Sequence, residues 1–197
     1  GWFTSPTIPF GTIVLTNSGS GNADIFIAKY DSSGNIVWAK NAGGTGVDLC
    51  YNVAVDFGGN AYITGWYNSP TLTLGTTTLT NAGGAGTNDI LLVKYDVSGN
   101  VAWAKSVGGG ANDVGYNTVV DASWNVYVTG SFNSFSVTFG TTTLSNTGPG
   151  NDMFAAKYDP SGNVLWAKSA GGTANEGGYG IAVDANYYVY VTGFFDS

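Results

Sequence analysis

The sequence predicts an all-β fold assembled from one repeated four-stranded unit. Three observations predict it. A phrase running from Asp24 to Lys40 returns at Asp89 and again at Asp152. A second phrase, beginning at Tyr51, returns in step with it at Tyr116 and Tyr179. No stretch sustains the 3.6-residue apolar period of an amphipathic helix.

The first phrase reads Asp24-Ile-Phe-Ile-Ala-Lys29-Tyr30-Asp31-Ser-Ser-Gly34-Asn35-Ile-Val-Trp38-Ala-Lys40. Phe26 to Tyr30 and Ile36 to Lys40 carry the aromatic and β-branched residues of short strands. Gly34 supplies a left-handed residue to close the hairpin between them with a bulge, and Asp31 caps the turn through its side chain. Pairing Asp31 with Asn35 sets Ala28 opposite Trp38 and Lys29 opposite Val37. Phe26, Ala28, Tyr30, Ile36 and Trp38 then share one face, and Ile27, Val37 and Ala39 the other. Two apolar faces predict a hairpin sandwiched between neighbours.

The second phrase yields a hairpin from Val53 to Asp56 and Ala61 to Thr64. Between the two phrases, Pro70 to Thr80 alternates threonine with apolar residues about Gly75; it predicts an extra edge hairpin, repeated at Ile8 to Thr16 and Val137 to Ser145. Glycine- and asparagine-rich stretches such as 81–88 read as loops.

The register divides the chain into repeats at 1–64, 65–129 and 130–192, with 193–197 opening a further one, since Gly1, Gly65, Gly130 and Gly193 occupy one repeat position. The array is therefore cut in mid-blade. An open strand edge at each end predicts association with copies of itself head to tail, as a ring or a filament, or membership of a longer covalent array. Two chains would make a six-bladed ring. Gly1 to Pro6 contain no methionine and no basic leader, which reads as a processed, excised or truncated chain.

Two hairpins per repeat make the four-stranded antiparallel blade of a β-propeller. The phrases Ile-Ala-Val-Asp…Tyr-Val-Tyr-Val-Thr-Gly (181–193) and Phe-Ala-Ala-Lys-Tyr-Asp-Pro-Ser-Gly-Asn-Val-Leu-Trp (154–166) resemble the bacterial SBBP-type propeller repeats, over the whole chain and three times. The resemblance implies a propeller in a secreted or surface protein, mostly without an assigned activity, and brings no catalytic residues to carry over. Two positions depart from the pattern. Trp124 and Tyr187 stand in turns where a glycine is expected, and a bulky residue at positive φ costs on the order of 1 kcal/mol. Those two turns are expected to take another shape.

Composition narrows the chemistry. With no histidine there is no Ser-His-Asp triad, no Cys-His pair and no histidine metal site. Six basic against thirteen acidic residues give a net charge of −7, which argues against nucleic acid or an anionic membrane surface as partner. No apolar run approaches the ~20 residues of a spanning helix, so no membrane insertion is expected. Every lysine, and every acid except Asp196, falls at a repeat position. An active site needs a unique constellation, so these charges read as turn caps, hairpin ends and Lys–Asp pairs, with no catalytic residue, metal or cofactor. Gly43 to Tyr51 fits a calcium nonapeptide once, but that motif works by tandem stacking, and its equivalents drift. Cys50 aligns with Gly115 and Gly178 and has no basic neighbour to activate it.

Trp38, Trp103 and Trp166 recur in register and read as core or interblade packing. Phe57, Trp124 and Tyr187 break the repeat at the tips of equivalent turns, where exposed aromatics anchor partners or stack on sugars; they are the candidate ligand-binding residues. The sequence thus predicts a non-enzymatic extracellular or cell-surface module, a self-assembling or protein-recognition scaffold whose partners include copies of itself and a surface protein or glycan. The alternative is a glycan-binding, lectin-like propeller.

Overall fold

The computed structural model describes residues 1–19 and 21–196. Its regular elements are all β-strands: β1 (Trp2–Phe3), β2 (Thr7–Phe10), β3 (Ile13–Thr16), β4 (Asp24–Tyr30), β5 (Ile36–Ala42), β6 (Asp48–Val55), β7 (Ala61–Tyr67), β8 (Thr71–Leu74), β9 (Thr77–Thr80) and β10 (Asp89–Tyr95). There follow β11 (Val101–Val107), β12 (Asp113–Val120), β13 (Val126–Phe132), β14 (Ser136–Phe139), β15 (Thr142–Ser145), β16 (Asp152–Tyr158), β17 (Val164–Ala170), β18 (Glu176–Val183) and β19 (Val189–Phe195).

Two complete four-stranded antiparallel blades form, in the orders β6-β7-β10-β11 and β12-β13-β16-β17. They are flanked by a three-stranded sheet, β1-β4-β5, and by the β18-β19 pair. The first strands of successive blades, β6, β12 and β18, run side by side along the array. This is the repeated blade of a propeller-type fold.

The faces of the outer hairpin differ from the sequence expectation. Lys29 pairs with Trp38 and Tyr30 with Ile36, so Val37 is bulged out and the expected Ala28–Trp38 pairing does not form. The same slip recurs at Lys94/Tyr95 and Lys157/Tyr158. One extra residue on one strand transfers everything beyond it to the opposite face. Trp38 therefore shares the face of Ile25 and Ile27 and enters the core with Tyr67, Leu72 and Tyr95, while Phe26 and Ala28 pack under Phe10 and Ile13. The sandwiching of both faces holds.

The inserted hairpins β2-β3, β8-β9 and β14-β15 are separate two-stranded sheets, not edges of the blades. Leu72 and Leu74 are fully buried in the core, and Val137 and Phe139 do the same one repeat later. Each such side chain contributes about 1.5–3 kcal/mol, which outweighs the weak stability of an isolated hairpin.

A second bulge lies in each inner hairpin. Cys50 pairs with Gly65 and Asn52 with Thr64, which leaves Tyr51 unpaired; Tyr116 and Tyr179 are bulged in the same way. The glycine opposite is obligatory. A Cβ on Gly65 would collide with the Leu49 carbonyl, and one on Gly130 with the Val114 carbonyl.

Candidate functional site

In an antiparallel meander the turns joining strands one to two and three to four emerge at the same end of the blade. That end carries the Asp56–Asn60, Asp121–Asn125 and Asp184–Tyr188 turns, together with the outer turns that start at Asp31, Asp96 and Asp159. Each turn is built around its aspartate. At Asp121, Oδ1 accepts from the backbone N–H of Ser123 (2.8 Å) and Asn125 (2.9 Å), and Oδ2 from the Asn125 side chain (2.8 Å) and the Tyr127 hydroxyl (2.8 Å). Burial works to raise the Asp121 pKa, but these donors outweigh it and hold the carboxyl below its usual range. Asp56 is lowered in the same way, with Asn60 and Tyr62 as donors.

Phe57 stands on its tip almost wholly in solvent, at 90% exposure. Trp124 and Tyr187 are each about half exposed. The expectation that their turns take another shape is overturned. Both residues sit at φ 66, in the left-handed region that Gly59 occupies at φ 80, and each closes the same N–H to aspartate carbonyl bond as Gly59 does. The donors to each aspartate over-determine the turn, with buried Tyr127 among them behind Trp124 and exposed Tyr190 behind Tyr187, so the bulky residue bears the strain. Phe57 lies at the position after the aspartate, whereas Trp124 and Tyr187 occupy the left-handed position two residues later. The three tips point to one end. The second and third are joined by Ser123 Oγ and the Tyr187 hydroxyl at 3.2 Å. Val97 and Tyr188 are exposed on the same end and were not singled out by the sequence. Tyr188 replaces the asparagine of the other turns, a signal visible on alignment.

Sequence reasoning also missed the bulged tyrosines. Tyr51, Tyr116 and Tyr179 form a continuous aromatic row across three first strands, with ring centroids 5.8 and 4.7 Å apart. Their recurrence was legible; the bulge that turns them toward one another was not.

The remaining candidates resolve into structure. Asp48 of the nonapeptide-like loop accepts from Gly44, Asn68 and Ser69 backbone N–H groups and from the Ser69 hydroxyl, so donors surround it where a cation would sit. Among the described residues no group of three or more acidic or sulfur ligands converges. The expected Lys–Asp pairing is mostly absent. The one ion pair among the described residues is Lys157–Asp121 at 3.9 Å, while Lys29 and Lys94 donate to the backbone carbonyls of Val97 and Pro160. Those same carbonyls accept from the indoles of Trp38 and Trp103 at 3.1 Å. The tryptophans thus pack between blades, each seated on the turn of the next. Cys50 is buried, and burial pushes its thiol pKa up, away from a reactive thiolate.

Comparison with protein-family models finds no match. The chain is 30% identical over 201 aligned residues to the uncharacterized WD repeat-containing protein L264 of Acanthamoeba polyphaga mimivirus, an alignment covering 88% of this chain and 14% of that protein. It is 28% identical over 110 residues to the regulatory protein FlaEY of Caulobacter vibrioides, covering 55% of this chain and 12% of that one. The chain therefore spans about one seventh or less of these curated relatives. Repeated antiparallel blades and a WD repeat-containing relative agree on one conclusion: the chain is a propeller-type β-repeat protein.

Proposed function

We propose that the chain is a non-enzymatic, extracellular recognition module that binds a protein partner through the end bearing Phe57, Trp124 and Tyr187. The observation that carries this reading is the pair of aromatic residues held at φ 66. The same turn closes with glycine in the first copy, so the fold does not need a tryptophan or tyrosine there. Strain of about 1–2 kcal/mol per residue is retained where the exposed ring has use. A complete blade stands behind Phe57 and Trp124 and fixes their rings in place, which lowers the entropy cost of binding. The likeness to SBBP-type repeats and the WD repeat-containing relative support a scaffold; the sparse charge and the abundance of Gly, Thr, Asn and Ser fit an extracellular setting.

The test replaces Phe57→Ser, Trp124→Gly and Tyr187→Gly together; the two glycines relieve the strain at φ 66, the serine replaces a ring standing in solvent, and the fold stays intact. Wild-type and variant chains are screened against a displayed-protein library and a glycan array. Loss of protein binding in the variant is expected. Loss of glycan binding alone would favour the lectin-like alternative, because exposed aromatics also stack on sugars. Unchanged binding would refute the reading.

A further inference from the structure

We propose that the chain carries a small-molecule site at each of two internal seams between repeats, and that each site takes the carboxylate of a hydroxylated molecule of the uronic acid class. The inference does not rest on the tip-bearing end.

The first seam is formed by β11, the tip of the β14-β15 hairpin and the β16-β17 hairpin of the next blade. A cavity of about 340 Å³ opens there, and its lining includes Lys105, Thr141, Tyr158, Asn163 and Val164. One repeat earlier β5, the β8-β9 tip and the β10-β11 hairpin surround about 230 Å³, with Lys40, Thr76, Tyr95, Asn100 and Val101 in the same places. A cavity that recurs with the same lining is a property of the repeat. Both volumes suit a single-ring molecule, since pockets for drug-sized ligands run from about 300 to 1,000 Å³.

A tyrosine hydroxyl in each cavity calls for a partner. Tyr95 and Tyr158 are each 2% exposed. Burial pushes both hydroxyls up in pKa, and no hydrogen bond acts on either. The buried tyrosines Tyr62, Tyr67 and Tyr127 all have partners, in Asp56, Ser106 and Asp121. Among the described residues the unpartnered oxygens sealed from solvent belong only to Asp24, Asp89 and Asp152. The hydroxyls of Tyr95 and Tyr158 are therefore not sealed, and they open to the cavities those residues line. A phenol buried to this degree ordinarily finds a partner.

The lysines supply the charge. Lys29 and Lys94 donate to carbonyls and Lys157 pairs with Asp121, but among the described residues Lys40 and Lys105 have neither a hydrogen bond nor an ion pair. Lys105 lies along the Gly162 turn, its Cε 2.8 Å from where a Cβ would stand. Neither lining contains an acid. The acids nearby are engaged. Asp159 accepts from the Ser161 and Asn163 backbone N–H groups and the Asn163 side chain, Asp96 does the same one repeat earlier, and Asp89 lies behind Ser106 at 3.1 Å. A chain of net charge −7 thus presents two cavities with a cation and no anion. A carboxylate can accept from the ammonium and the phenol together, in charge-assisted bonds. The threonine hydroxyl and the asparagine Oδ1 suit hydroxyls on the same molecule, and Val101 or Val164 suits the apolar edge of its ring.

Galacturonate is titrated into the isotope-labelled chain at constant ionic strength, with glucose and acetate as separate probes, and amide shifts are followed by NMR up to about 20 mM, where a millimolar affinity is populated. Saturable galacturonate shifts are expected at two clusters, Thr76, Gly99 and Asn100 and then Thr141, Gly162 and Asn163, with smaller shifts for glucose and acetate. Lys40→Gln with Lys105→Gln should weaken binding at least about tenfold and leave the circular dichroism unchanged. Tyr158→Phe, which removes no bond within the chain, should weaken the second cluster and spare the first. Absence of saturable shifts, equal shifts with glucose or acetate, or galacturonate binding that survives the lysine or the tyrosine substitutions would overturn the proposal.

Discussion

Tyr127→Phe isolates one buried bond beneath the second tip. The hydroxyl donates to Asp121 Oδ2 at 2.8 Å, and both residues are buried. The carboxylate is held ionised by its other donors, so this is a hydrogen bond to a charge, worth about 1.5–3 kcal/mol. Phenylalanine keeps the ring, so no large cavity is left. Urea unfolding should therefore show a loss of about 1.5–3 kcal/mol with an unchanged m value. The third repeat provides the internal comparison. Tyr190 makes the same bond to Asp184 at 3.1 Å, but on an exposed surface where water replaces a lost partner. Tyr190→Phe should cost far less. If Tyr127→Phe changed stability by under about 0.5 kcal/mol, or if the two substitutions cost the same, burial would not be what gives the bond its strength.

Two further outcomes follow from the same geometry. Trp103→Phe keeps a ring over Gly162 but loses the indole bond to the Pro160 carbonyl, so calorimetry should show a loss of about 0.5–1.5 kcal/mol with unchanged circular dichroism. The pH profile of stability should be bounded on both sides. Burial raises Asp113 to about 6 against its hydrogen bonds, and raises Asp48, Asp89 and Asp152 as well. Such groups bind protons more tightly when folded, so their contribution improves as pH falls from about 7 through 6 towards 3.8. Asp31, Asp96 and Asp159 are lowered, chiefly by Asn35, Asn100 and Asn163. Their contribution is present above 3.8 and is lost on further acidification. Urea midpoints that rise steadily to pH 8 would contradict this.

The blade plan was legible because hairpins declare themselves locally: an aspartate, a glycine and an asparagine at fixed offsets, flanked by β-branched runs. Strand faces were not, because a single bulged residue inverts them. Val37 and Ile36 look equally suited to the pairing, and only the packing of Trp38 on the next blade decides. The inserted hairpin was visible as an alternation of threonine and apolar residues, but whether it extends a sheet or lies apart depends on Leu72 and Leu74 finding a core built from distant strands. At the candidate site, the exposed aromatics were legible as breaks in the repeat. Their turn geometry was misjudged because local propensity counts the strain at Trp124 without the four bonds to Asp121 that impose it. The lysines were misread for a related reason: a carbonyl acceptor carries no sequence signature.

The indole contacts also have a direction. Trp38 reaches forward to Val97 and Trp103 to Pro160, and within these pairs neither turn grips the blade behind it by an equivalent side chain. Loosening β5 therefore strips the lid from the Asp96–Asn100 turn, whereas loosening that turn leaves β5 in its own ladder. Disturbance travels more readily from the amino-terminal blade onward than back. Amide exchange at Gly99, whose N–H is bonded to the Asp96 carbonyl, would report on the integrity of the blade before it. An array built this way behaves under load like overlapping roof tiles, which lift in sequence from one end.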